Sequence, residues 1–269
     1  MTLYTKRIIL SVAMFFLFFN DAAKAQENAK IIRVSAPFLS TLFQRNEDTK
    51  EASILNGIGA LCQMKFDYSL APFGRHVEIF LSDDRLDAVS SVLLPAQVKG
   101  FWTKPYIGYQ NGFIYLEKEG FNPRHYDDLR DKRVIAFVGA EAYLPGLKDN
   151  IKKFDQYSEV ANQYSHVQLL FADRIDVVIA EKYITLMNAM KLSSDVERHN
   201  QRMSTLRFLP FYETNPGHMV FKDQGLQQRF DACLDKPEAK AFIKETEDMF
   251  NQDYPNYVVP HALSNGGKP

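Results

Sequence analysis

Residues 169–183 read LLFADRIDVVIAEKY. The first half is helix-like and runs straight into a β-branched apolar run, residues 175–180, that carries one acid, Asp176, and stops at Glu181. Apolar runs of this length bounded by polar residues fit a strand buried on both faces. Helical spacing over residues 166–172 places a helix just before it, and residues 133–138 (RVIAFV) supply an earlier strand. Strand, helix and strand in that order call for parallel pairing through crossover helices, hence an α/β unit. In an open α/β sheet the ligand crevice lies beyond the carboxyl ends of the strands, and Glu181 is the first polar residue past one such end. The competing reading makes Glu181 a solvated acid that opens the following helix, where a negative charge complements the dipole.

Working outward, the same alternation occurs earlier in the chain. Residues 31–35 (IIRVS) suit a buried strand, closed by Ala36 and Pro37. Residues 52–64 place Ile54, Leu55, Ile58, Leu61 and Cys62 at helical intervals, residues 65–70 (KFDYSL) alternate like a strand, residues 74–83 form a second helix, and residues 86–93 return to strand character. An extended aromatic segment, residues 106–116 (YIGYQNGFIYL), separates this unit from the one around RVIAFV. In that second unit residues 127–129 open a short helix, and a loop and helix begin at Gly139. Residues 207–211 and 218–221 read as a late pair of strands, and residues 226–250 as one helix that packs back on the first unit. The expected division is a signal segment over residues 1–25, a discontinuous first lobe over 26–109 and 214–269, and a second lobe over 110–213. Hinges are expected near residues 108–112 and 211–217, where glycines interrupt extended stretches.

Composition sets the compartment. Lys6 and Arg7, an apolar run over residues 8–19 with Ser11 within it and the small-residue site Ala23-Lys24-Ala25 read as a secretory signal peptide cleaved after Ala25. That run falls short of the roughly 20 residues needed to span a bilayer, so a free, monomeric periplasmic protein is expected. Cleavage takes away Lys6, Arg7, Lys24 and Asp21 and moves the formal charge from −1 to −3. With no basic block to grip phosphates, nucleic acid is excluded as a partner. Cys62 and Cys233 are the two cysteines; an exported protein permits a bridge between them, and two separate buried thiols fit the sequence as well. Gly57-Ile58-Gly59 sits inside a helical pattern and lacks the third glycine of a dinucleotide loop. No GxSxG, Walker or HExxH motif occurs, and the six histidines are scattered singly. Neither catalytic residues, nor a metal site, nor a cofactor is expected.

Several stretches carry a family resemblance. Residues 84–88 (DRLDA) and 102–106 (WTKPY), then residues 128–134 (DLRDKRV), 137–141 (FVGAE) and 173–181 (DRIDVVIAE), are similar in order and spacing to motifs of the family 3 extracellular solute-binding proteins. These are periplasmic amino-acid-binding proteins with the two-lobed type II fold, each lobe a mixed, mostly parallel sheet flanked by helices, joined by two crossing segments. The resemblance implies capture of a small polar, amine-containing ligand, an amino acid or a relative of one, for an ABC-type importer. The same fold also serves membrane sensors, and it carries a dehydratase, in which role Glu141 and Glu181 would act as acid and base. By the resemblance, Glu181 holds the ligand ammonium group and Gly139, Ala140 and Glu141 form a ligand loop. The arginine expected to clamp a ligand carboxylate is missing: residues 94–99 read LPAQVK. Arg75 either replaces it or forms a surface salt bridge. Phe38, Phe43, Trp102, Tyr106 and Tyr143 are the aromatics expected in loops that face the cleft, where flat rings cover ligand surface at small entropy cost.

Overall fold

The computed structural model describes residues 31–38, 49–94, 96–192 and 196–252; the expected signal segment, Phe43 and the end of the chain lie outside them. The first lobe opens with β1 (Ile31–Pro37), α1 (Lys50–Cys62), β2 (Lys65–Ala71), α2 (Arg75–Ser82) and β3 (Ala88–Leu93), followed by the short β4 (Phe101–Trp102) and β5 (Ile107–Tyr109). Then come β6 (Asn111–Leu116), β7 (Arg133–Ala136), α3 (Ala140–Tyr143), α4 (Leu147–Asn150), β8 (Gln156–Glu159), α5 (Gln163–Phe171), β9 (Val177–Glu181), α6 (Lys182–Met190), α7 (Val196–Thr205) and β10 (Leu206–Pro210). The chain ends with β11 (Asn215–Phe221), α8 (Gln224–Leu234) and α9 (Pro237–Gln252).

These strands make two mixed sheets. In one, β2-β1-β3-β11-β4 lie side by side and β5 also pairs with β11; in the other the order is β10-β6-β9-β7-β8. The strands that helices link, β1 with β2 and β3, and β7 with β8 and β9, are parallel, whereas β11 and β6 run against their neighbours. The strand ending at Glu181 is a central one, flanked by β6 and β7, as its apolar run requires, and the late strands β10 and β11 belong to different sheets. The long C-terminal helix is broken at Pro237, whose ring and missing N–H cannot continue a helix but suit the first position of a new one.

Local chemistry fixes the boundaries that matter for the site. Thr49 caps α1, its hydroxyl accepting the Ala52 N–H at 3.1 Å, and Gln63 ends the helix with a left-handed φ of 54°. Ile54, Leu55 and Ile58 of α1 are fully buried against β1, β3 and α8. Cys62 and Cys233 are disulfide-bonded with their Cα atoms 5.9 Å apart, joining α1 to α8 and settling the choice left open by spacing alone.

The chain crosses between the sheets at Gln110 and again over residues 211–214. Thr214 Oγ1 donates to Gln110 Oε1 at 2.9 Å, and the Gln110 amide donates to the Tyr212 carbonyl, so the two crossings are cross-linked. The neighbouring glycines serve close packing, not freedom: a Cβ on Gly112 would sit 2.0 Å from the Leu209 carbonyl oxygen, and one on Gly217 2.7 Å from Ile107.

Candidate functional site between the lobes

Ser91 of β3 has φ 55°, a left-handed conformation in the middle of a strand, at a register shift between His218 and Val220 of β11. Such strain persists only where neighbours over-determine it. Here the Ser91 N–H donates to the Tyr106 hydroxyl at 3.1 Å, its Oγ donates to Glu51 Oε1 at 2.6 Å and also meets the Tyr109 hydroxyl at 3.0 Å. Tyr106 donates its own hydroxyl hydrogen to the same Glu51 oxygen. Glu51, in the first turn of α1, is 3% exposed, and burial pushes its carboxyl up against the lowering pull of those hydrogen bonds. Its Oε2 has no partner among the described residues.

Glu181 lies opposite, in the second lobe. It ends β9, is 5% exposed, and caps α6: Oε2 accepts the N–H groups of Tyr183 and Ile184, both at 2.8 Å. The acid does open a helix, but it is buried, and Oε1 is left without a partner among the described residues. Burial pushes its carboxyl up, opposed by the nearby Lys50 charge and the α6 N–H groups. Lys50 itself donates to the Gly108 carbonyl at 3.0 Å, pairs with Glu247 at 3.1 Å and lies 5.3 Å from the centre of the Tyr183 ring. Tyr109 sits between the acids: burial raises its phenol well above the ordinary range, with Glu51 and Glu181 both adding to the effect.

Glu181 faces a pocket of about 30 Å³ at the lobe junction. From the first lobe come Phe73, Ser91, Leu93 and Tyr109; from the second come Asn111, Phe137, Gln163 and Ile184. Gln163 is 6% exposed, and its Oε1 also lacks a partner among the described residues. Phe73 closes the junction, its ring 5.8 Å from Phe137 and 6.1 Å from Tyr143, both edge-on.

The other expected residues are placed differently. Gly139 has φ 84°, the left-handed turn its residue type permits, but its N–H donates to Glu159 Oε2 at 2.7 Å, and the Glu141 N–H to Glu159 Oε1 at 2.9 Å. The loop expected to greet a ligand is filled by a carboxylate of the chain itself. The buried Ala140 turns its N–H to Phe137 O, and the Glu141 side chain is exposed. Trp102 is corrected from a cleft loop to the edge strand β4, where its indole N–H donates to Val98 O at 2.9 Å and its ring packs near His218. Tyr106 is 2% exposed and lies in the core beneath the pocket, reaching it only through Ser91. Phe38 is half-buried after β1 and Tyr143 half-buried against Phe73, and neither lines the pocket. Arg75 is exposed at the start of α2, and its side chain makes no hydrogen bond or ion pair among the described residues, so the expected surface salt bridge is not formed there.

Sequence reasoning missed Glu51, Ser91, Asn111, Glu159 and Gln163. Glu51 is one charge on an amphipathic helix, Ser91 needs its φ to stand out, and Glu159 ends a strand too short and polar to read as one. Only Asn111, beside the glycine of an aromatic crossing segment, carried a local signal.

No family model matches the chain, and no curated protein matches it by sequence. Solved structures do match it in shape. An ancestral arginine-binding protein bound to glutamine superposes with a TM-score of 0.63 over 82% of this chain and 97% of its own, at 14% identity. A histidine kinase sensor domain with similarity to periplasmic binding proteins gives 0.62 over 84% and 98%, at 12% identity. The arginine-, lysine- and histidine-binding protein ArtJ from Geobacillus stearothermophilus gives 0.60 over 82% and 95%, at 13% identity. The chain has the type II periplasmic-binding-protein fold. In that fold the pocket at Glu181 occupies the junction of the two lobes, beyond the carboxyl ends of β3, β7 and β9.

Proposed function

We propose that the protein is an exported solute-binding protein that captures a small amine-containing ligand between its lobes and holds the ammonium group on Glu181. One observation carries this reading. Glu181 Oε1 and Gln163 Oε1 are buried acceptors without partners among the described residues, and both residues line one pocket. Buried polar atoms are nearly always hydrogen-bonded, so two unspent acceptors call for a donor, and the carboxylate calls for a cationic one. Ser91, Tyr109 and Asn111 add polar edges, while Phe73, Leu93, Phe137 and Ile184 form an apolar wall. A pocket of about 30 Å³ takes a small head such as an ammonium group and little more; the rest of the ligand enters by parting Phe73 from Phe137 and Tyr143 through motion of the lobes at the crossings.

Isothermal titration with amino acids and amines tests the assignment. A charge-assisted hydrogen bond is worth roughly 1.5–3 kcal/mol, so Glu181→Gln should weaken binding roughly 10- to 150-fold. Unchanged affinity in that variant, or no binding across the panel, removes the reading.

Delivery to an ABC-type permease is the role proposed for the loaded protein. The likeness to a histidine kinase sensor domain supports a second reading, presentation of the ligand to a membrane sensor. Uptake of labelled ligand in cells lacking the protein separates them: lost uptake marks import, and intact uptake with a lost transcriptional response marks sensing. Catalysis has less support, because Glu141 is exposed and lies outside the pocket that Glu181 faces.

A further inference from the structure

We infer that the ligand of this pocket is an amine that carries no carboxylate, and that Glu159 enforces the choice. The inference rests on the reading of Glu181 as the ammonium anchor and names the chemical class that anchor takes. An amino acid held there by its ammonium group must place its carboxylate against donors or a positive charge. No cation is among the residues that line the pocket, where Glu181 is the one ionic group, and the nearby Lys50 is engaged by the Gly108 carbonyl and Glu247. The N–H groups close at hand in the second lobe, those of Gly139 and Glu141, are spent on the two oxygens of Glu159. Tyr157 donates its hydroxyl hydrogen to Glu159 Oε1 at 2.7 Å, which holds that carboxylate in place. Glu159 thus takes up the N–H groups that follow Phe137 of the pocket wall, and it adds a second negative charge in the second lobe. The fully buried pocket atoms without a partner among the described residues, Glu181 Oε1 and Gln163 Oε1, are both acceptors. A ligand carboxylate would be partly desolvated beside an acid, and at about 6 Å from Glu181 repulsion at an effective dielectric near 20 amounts to roughly 100-fold in affinity.

The test uses pairs of probes that differ by one carboxylate: agmatine and arginine, cadaverine and lysine, tyramine and tyrosine. Titration of the full-length mature protein with each pair should show the amine bound at least about 10-fold more tightly than its amino acid in one pair or more. Glu159→Ala frees both N–H groups and removes the charge. It should narrow that preference by about 10-fold through tighter binding of the amino acid, with amine affinity held within about 3-fold. A purely structural role for Glu159 would weaken both members of a pair together, and that outcome overturns its part in the choice. Should Glu159→Ala fail to fold, Glu159→Gln keeps an acceptor for one of the two N–H groups while losing the charge, and must narrow the preference in the same direction. Equal or tighter binding of the amino acids by the wild-type protein overturns the inference, and Arg75→Ala then shows whether Arg75 is their anchor. If Glu181→Gln still abolishes that binding, the ammonium anchor stands and only the carboxylate-free assignment fails. If no probe binds at all, both fail.

Discussion

At the scale of single residues, the site is built from two buried acids with different tasks. Glu51 is held by Ser91 and Tyr106 and braces the first lobe, whereas Glu181 spends one oxygen on the α6 cap and leaves the other without a partner among the described residues. Both carboxyls are pushed up chiefly by burial. A carboxyl whose folded pKa is raised above its unfolded value binds protons more tightly when folded. Its penalty is therefore absent below the unfolded pKa of about 4.3 and grows as pH rises toward and through the raised folded value. Glu51→Gln keeps an acceptor for Ser91 and Tyr106 and removes the ionisation. Its midpoint of thermal unfolding should match or fall slightly below wild type near pH 4 and exceed it at pH 8, with the gap widening between; a constant gap across that range would show that Glu51 does not titrate with folding. Glu181 was legible in the sequence because an apolar strand stopping at an acid marks a strand's carboxyl end. Glu51 and Ser91 were not, because hydrogen bonds made 40 residues apart leave no local pattern.

At the scale of elements, spacing located the buried pieces well. The strands 31–37, 65–71, 88–93 and 177–181 all appear where apolar periodicity placed them, to within two residues at either end. Pieces stabilised by context were missed: β4 is two residues held by β11, and β8 is a polar strand held by β7; α7 was not read either. Gly57 shows how an element's partner overrides its own preference. In an isolated helix Gly→Ala gains about 1 kcal/mol, but a Cβ at position 57 would sit 2.0 Å from the Phe242 ring of α9. Gly57→Ala should therefore destabilise the protein by about 1–3 kcal/mol in urea unfolding, and a stabilised variant would mean that α9 is free to move off α1. Gly57 lies at the seam between α1 and α9, while Gly59 packs against Phe66 of β2 and Met64 of the turn before it.

At the scale of the whole molecule, the first lobe is closed by parts distant in sequence: β11 inserts between β3 and β4, α9 returns to α1, and the Cys62–Cys233 bridge spans 171 residues. Cross-linking a long loop raises the free energy of the unfolded chain, so Cys62→Ser with Cys233→Ser should lower stability by about 2–5 kcal/mol while leaving ligand affinity within about 3-fold, measured by denaturation and titration of the same preparation. A large loss of affinity would show that the bridge also sets the position of α1 and Glu51 beneath the pocket.

The α/β class, the two-unit order and the acid at the end of β9 were determined by the sequence alone, because burial periodicity is a local property of the chain. Which residues share the pocket was decided only by the tertiary structure. The lobes bring Ser91 and Phe73 to Gln163 and Glu181, Glu159 folds back on Gly139 and Glu141, and Trp102 and Tyr106 go to an edge and a core instead. Each of these depends on contacts between residues far apart in the chain, where spacing carries no information and only packing and hydrogen-bond satisfaction choose.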